Sequence, residues 1–136
     1  MRRRRGRPVP SDLPPLGILL AEGSHGKAHA AFVLAAGAAA LGRRVVLFAT
    51  NAGCLALLVD PAGLVDAARE ARVTAAGVAG LIELRAAAQD LGVRLIACAA
   101  GLRAEGLDAA PLLAGVEVGG VASFLAAVGS GPIVGF

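Results

Sequence analysis

Tryptophan and tyrosine are absent from this 136-residue chain, and phenylalanine occurs only four times. Proteins that hold single-stranded nucleic acid stack its bases on aromatic rings, so no specific nucleic acid is expected as a partner. The net charge of +3 points the other way only until its source is located. Arg2, Arg3, Arg4, Arg5 and Arg7 all precede Pro8, and without them the chain carries more acids than bases. A basic run joined to Pro8, Pro10, Pro14 and Pro15 buries nothing, which predicts a disordered tail over residues 1–15, free to touch polyanions without specificity.

Long hydrophobic runs are also missing, although 57% of the residues are apolar. The longest run, Ala28 to Leu41, is interrupted by His29 and is shorter than the roughly 20 residues a bilayer requires. The run after the basic start, Leu16 to Ala21, is too short for the core of a secretion signal and is closed by Glu22. The expected location is therefore the cytoplasm. Two cysteines and two histidines offer neither metal-ligand spacing nor a disulfide framework. Both cysteines are expected as free thiols, with no metal and no cofactor. No G-x-G-x-x-G opens a helix and no G-x-S-x-G occurs. Gly23-Ser24-His25-Gly26-Lys27 falls short of a phosphate loop, having two residues between its glycines and Ala28 after the lysine.

What is present is a repeated alternation of short apolar runs and Ala- and Leu-rich helical stretches. Leu16 to Ala21 reads as a buried strand stopped by a glycine turn. Ala28 to Leu41 reads as a helix, closed by Gly42 in a left-handed cap. Arg44 to Thr50 is rich in β-branched residues and reads as the second strand. Leu41-Gly42-Arg43-Arg44-Val45 and Leu91-Gly92-Val93-Arg94-Leu95 repeat one pattern, a helix ending in Leu, a capping Gly, and a strand begun through Arg. That pattern predicts a second helix over Val78 to Leu91 and a third strand over Val93 to Cys98. A helical or turn-rich segment at Leu102 to Leu113, a strand at Val116 to Val118, a helix at Val121 to Val128 and a strand at Pro132 to Phe136 complete the series. Between Ala56 and Ala76 the pattern is weaker: Leu64 to Arg72 looks helical, and Asp66, Arg69, Glu70 and Arg72 suggest an exposed excursion. Strands and helices alternating at this spacing predict one α/β domain over residues 16–136, with parallel strands and helices on both faces. Ala28 to Leu41 is apolar almost all round, so its second face is expected against another copy of the chain, as a homo-oligomer.

In such sheets ligands bind beyond the carboxyl ends of the strands, where loops and helix N-termini meet. Glu22, Ser24, His25 and Lys27 follow the first strand. Thr50, Asn51 and Cys54 follow the second, Cys98 ends the third, and Gly119 and Gly120 follow the fourth. Cys98 precedes a segment able to open a helical turn, whose free amides would favour the thiolate. Equally, it could be a packed core thiol. Cys54 reads as a small core residue or as a resolving thiol should the fold bring it close. His25, expected in a loop, could move a proton for Cys98 or be solvated. Lys27 could hold an anion at the helix start or simply face water.

Leu91 to Cys98, together with Gly115-Val116-Glu117-Val118-Gly119-Gly120-Val121-Ala122-Ser123-Phe124-Leu125, resembles the signature of the DsrE/DsrF-like family of sulfur-relay proteins. The resemblance implies a three-layer α/β/α sandwich with a mainly parallel five-stranded sheet, assembly into oligomers, and a cysteine that holds sulfur as a persulfide. Cys98 matches the position of that cysteine, and sulfur donor and acceptor proteins would be the partners. Relatives often follow it with Met and Ser where this chain has Ala99, Ala100 and Gly101, which implies a smaller, less polar pocket. A second reading sets sulfur chemistry aside and makes the Gly23 to Lys27 loop a small-anion or nucleotide site on an oligomeric module.

Overall fold

Five short apolar stretches line up as one parallel sheet in the computed structural model, which describes residues 13–136. They are β1 (Leu16–Leu20), β2 (Val45–Ala49), β3 (Arg94–Cys98), β4 (Glu117–Gly119) and β5 (Ile133–Gly135). Their spatial order is β4-β3-β2-β1-β5, and every pairing is parallel. β2 is buried along its whole length, as a strand covered on both faces must be.

The order explains the layers. The chain steps from β1 to β2 to β3 through α1 (His25–Ala40), α2 (Arg69–Ala75) and α3 (Leu81–Asp90). The connection from β4 back to β5 runs in the opposite direction across the sheet. A crossover that keeps its right hand while reversing direction must change face, so α5 (Val121–Val128) is the one helix on the far side among the described residues. Two cores result. The larger gathers Ile18, Leu20, Phe32, Leu47, Leu57 and Leu95 with a series of alanines on the α1 and α3 side. The smaller holds Val46, Phe48, Ile96, Cys98, Phe124 and Val128 beneath α5, with Phe48 and Phe124 stacked at 5.1 Å. The architecture is the α/β sandwich expected from the sequence.

The repeated Leu-Gly-x-Arg turns behave as read. Gly42 (φ 92°) and Gly92 (φ 78°) occupy the left-handed position just past α1 and α3, where a side chain would strain the backbone. The start of the first helix differs. It opens at His25, three residues before the expected Ala28, because Ser24 caps it by accepting the Lys27 amide at 3.2 Å. His25 is thus a first-turn helix residue and not a loop residue, and Lys27 lies at the helix start as expected.

The weakest stretch of the sequence departs most. Residues Asn51–Leu57 form a 3-10 helix, and the helix expected at Leu64 to Arg72 is α2 at Arg69–Ala75. The polar residues foreseen as an exposed excursion are in part turned inward. Arg69 donates to His25 Nδ1 at 3.0 Å, and Glu70 accepts from His25 Nε2 at 2.6 Å. Arg85 of α3, 4% exposed, ties the 3-10 helix down by donating to the carbonyls of Ala56, Leu58 and Val59. Of the tail expected over 1–15, residues 1–12 lie outside the described residues. Leu13 and Pro14 are held through their carbonyls, by Arg44 at 2.6 Å and Arg43 at 3.0 Å. No helix among the described residues is long and apolar enough to cross a membrane.

Glu70 is a tertiary cap. Its Oε1 accepts the Leu81 amide at 2.8 Å and its Oε2 the Ile82 amide at 3.1 Å, at the start of α3 where Gly80 has no side chain to offer. Burial raises the carboxyl pKa, but the bonds from His25 and from the Leu81 and Ile82 amides outweigh it and hold the group below its ordinary 4.5. Because the folded value lies below the unfolded one, this stabilisation is complete above the ordinary carboxylate range and is lost as pH falls through the folded value. In urea titrations at successive pH values, wild type should therefore lose stability below about pH 4.5 more steeply than Glu70→Gln. Glu70→Ala, which strands a buried imidazole N–H and two amides, should cost about 1–3 kcal/mol at neutral pH.

Candidate functional site

Cys98 is the last residue of β3, where side-chain alternation sends it to the α5 side with Phe48 and Phe124. It is also the N-cap of α4 (Ala99–Ala104), and its Sγ accepts the Gly101 amide at 3.3 Å. The residue is 8% exposed, and it lines a cavity of about 560 Å³ walled by Thr50, Ala99, Ala100, Arg103, Gly119 and Gly120, among others. Burial raises its pKa. The Thr50 hydroxyl and the amides of Gly101 and Ala100 more than offset this and bring the thiol below its ordinary 9.0. A thiolate in that setting is a ready nucleophile.

Gly101 makes the arrangement possible. A Cβ there would meet the Asn51 amide nitrogen at 2.5 Å and Thr50 Oγ1 at 3.1 Å. Only glycine lets α4 settle against the end of β2, which is what brings Thr50 to the sulfur.

Several residues read from the sequence as one site are separated by the sheet. Gly119 and Gly120 share the Cys98 cavity, whereas His25 lines a different cavity of about 190 Å³ with Asp60, Leu64, Glu70 and Leu81. His25 is 2% exposed, and both of its ring nitrogens are engaged. Since a guanidinium only donates, Nδ1 accepts from Arg69 and Nε2–H donates to Glu70. The proton-moving role expected of His25 toward Cys98 is therefore not available to it. His29 stacks on it with ring centroids 5.7 Å apart and bonds the Ala79 carbonyl, a packed residue. Lys27, Glu22 and Asn51 are exposed and are not among the walls of the Cys98 cavity.

Cys54 is fully buried in the core on the α1 side. Burial pushes its thiol up to about 11, against the lowering effect of the Cys98 amide nearby. It donates to the Ala49 carbonyl at 3.5 Å. The Cys98 amide lies against the Cys54 sulfur, while the two side chains belong to different cores, so Cys54 is packed as a core thiol. Both are free. Among the described residues no group of three or more His, Cys, Asp or Glu is placed to hold a metal ion.

The sequence pattern of the DsrE/DsrF-like family matches residues 16–134, nearly all of the described chain. The chain belongs to the DsrE/DsrF-like family. The crystal structure of the YchN protein from E. coli superposes on it with a TM-score of 0.64 at 15% identity, covering 91% of this chain and all of that one, a likeness of fold. No curated protein is a significant match.

Within this DsrE/DsrF-like domain, the sequence reading missed Arg103 beside the sulfur and placed Thr50 only among the residues that follow the second strand. Thr50 stood out only as the end of a strand, because its relation to Cys98 depends on β2 pairing β3 with Ala49 opposite Ala97. Arg103 had a weak signal, its place just over one turn into a helix begun at the cysteine. Nothing local marked Glu70 and Arg69, whose partner His25 lies more than forty positions away.

Proposed function

We propose that this protein is a sulfur carrier. The Cys98 thiolate attacks the outer sulfur of a donor persulfide, holds it as Cys-S-S-H, and passes it to an acceptor protein. In the loading step a new S–S bond forms as the donor S–S bond breaks, and the electron pair leaves with the donor thiolate. The observation that carries the reading is the Cys98 sulfur itself, held by the Gly101 amide beside the Thr50 hydroxyl, below its ordinary pKa and bordering a cavity. Membership of the DsrE/DsrF-like family supports it. The alternative loop has two of its amides already committed, His25 N–H to the Val65 carbonyl and Lys27 N–H to Ser24 Oγ. Incubation with a persulfide donor should add one sulfur atom to the intact protein by mass spectrometry, and Cys98→Ser should abolish the addition. Equal loading of the mutant would refute the assignment.

Free thiols suit a reducing cytoplasm, and the same reading includes a homo-oligomer assembled through α1. Val33 (49% exposed) and Leu41 (43%), with exposed Gly37 and Ala40, fall on one helix face, an apolar strip outside the core. Val33→Glu should shift the mass seen by light scattering toward the monomer; an unchanged mass places any interface elsewhere.

A further inference from the structure

We infer that the Cys98 site takes its sulfur from a low-molecular-weight hydropersulfide bearing a carboxylate, and that Arg103 is the residue that selects it. The inference rests on the sulfur-carrier reading and adds the class of donor. The described chain contains seven arginines. Six of them bond other parts of the fold: Arg43 and Arg44 the carbonyls of Pro14 and Leu13, Arg69 the His25 ring, Arg72 Asp66, Arg85 three carbonyls, and Arg94 Glu117. Of these seven arginines Arg103 alone has neither an ion pair nor a side-chain hydrogen bond among the described residues, and it is the one arginine in the wall of the Cys98 cavity.

No acidic side chain lines that cavity. Its other charged-sign feature is the start of α5, where Gly120 is the N-cap and contributes no side chain. The first-turn amides there open beside Gly119 and Val121 of the wall, and together with a free guanidinium they favour a negative group. At about 560 Å³ the space lies within the range of small-molecule sites. A small donor can enter and present its outer sulfur to Cys98 while its carboxylate remains near Arg103.

The step balances as for any thiol exchange. Cys98-S⁻ and R-S-S-H give Cys98-S-S-H and R-S⁻, and no external oxidant or reductant is required. Arg103 is a positioning residue in this step, acting on the donor and not on the thiol, because the groups that lower Cys98 are Thr50, Gly101 and Ala100.

The test compares two probes by mass spectrometry of the intact protein, glutathione hydropersulfide and the same compound with both carboxylates esterified. With the acidic probe, Arg103→Ala should slow loading by about fivefold at low salt, Arg103→Lys should restore part of the rate, and the difference should vanish near ~1 M salt. With the ester, wild type and Arg103→Ala should load alike. Equal rates for Arg103→Ala and wild type with the acidic probe, or an equal loss with both probes, would overturn the inference while leaving the carrier reading intact. Failure of wild type to load from either probe would overturn both.

Discussion

Gly101→Ala is expected to damage stability and chemistry together. The new methyl group would sit 2.5 Å from the Asn51 amide nitrogen and 3.1 Å from Thr50 Oγ1. The nearest atom is backbone, which cannot swing aside as a flexible side chain could, so α4 and the end of β2 must move apart. Overpacking of this kind costs about 1–3 kcal/mol, readable as a lower urea midpoint at unchanged slope. The same displacement takes the Thr50 hydroxyl away from Cys98 and disturbs the amides that the sulfur accepts. With those contacts weakened, burial dominates and the thiol pKa rises. Alkylation of Cys98 by iodoacetamide, followed against pH, should then show its inflection at higher pH than in wild type. Gly26→Ala, in α1 but off the exposed apolar strip, is the matched comparison, since nothing lies within 4 Å of its added methyl. It should stabilise α1 by about 0.5–1 kcal/mol through helix propensity alone and leave the alkylation profile unmoved. A Gly101→Ala protein with wild-type stability and a wild-type profile would show that the close approach of α4 to Thr50 is not what sets the site.

Phe32→Ala should produce the larger loss of stability. Phe32 of α1 is fully buried at the centre of the main core. Deleting a buried aromatic ring generally costs about 3–5 kcal/mol, depending on how far the surroundings collapse into the space. Here they collapse poorly. Ala28, Ala31, Ala35, Ala56, Ala88 and Ala97 belong to the same core, and an alanine has no rotamer with which to reach into a void. The upper part of that range is therefore expected, and thermal or urea unfolding measures it. Phe48, stacked with Phe124 in the smaller core, offers a second ring whose loss would act on the Cys98 side of the sheet.

The alanine-rich composition that raises the cost of losing Phe32 also made the elements legible in the sequence. Leu41-Gly42 and Leu91-Gly92 each end a helix because left-handed backbone is a property of the glycine itself. The capping by Ser24 is equally local, yet the apolar pattern places the helix start at Ala28, three residues late, since Gly26 and Lys27 are weak openers and the hydrogen bond from the Lys27 amide to Ser24 outweighs them. At Asn51–Leu57 the pattern offered no element, and the helix expected at Leu64 to Arg72 lies later, at Arg69–Ala75, because those segments are shaped by partners distant in the chain. Arg85 gathers the carbonyls of Ala56, Leu58 and Val59, and Glu70 caps α3.

The order of apolar runs, their lengths and the glycines between them determined that this chain would be a parallel α/β sheet, and put Cys98, Gly119 and Gly120 at its carboxyl edge. Those are matters of neighbouring residues and short periods. Which face each residue joined was decided only by the tertiary structure. Strand register sent Cys98 toward α5 and left Cys54 and His25 on the α1 side, while the close contact at Gly101 carried Thr50 to the sulfur. Those relations depend on side-chain alternation and on packing between segments far apart in sequence, where no local preference reaches.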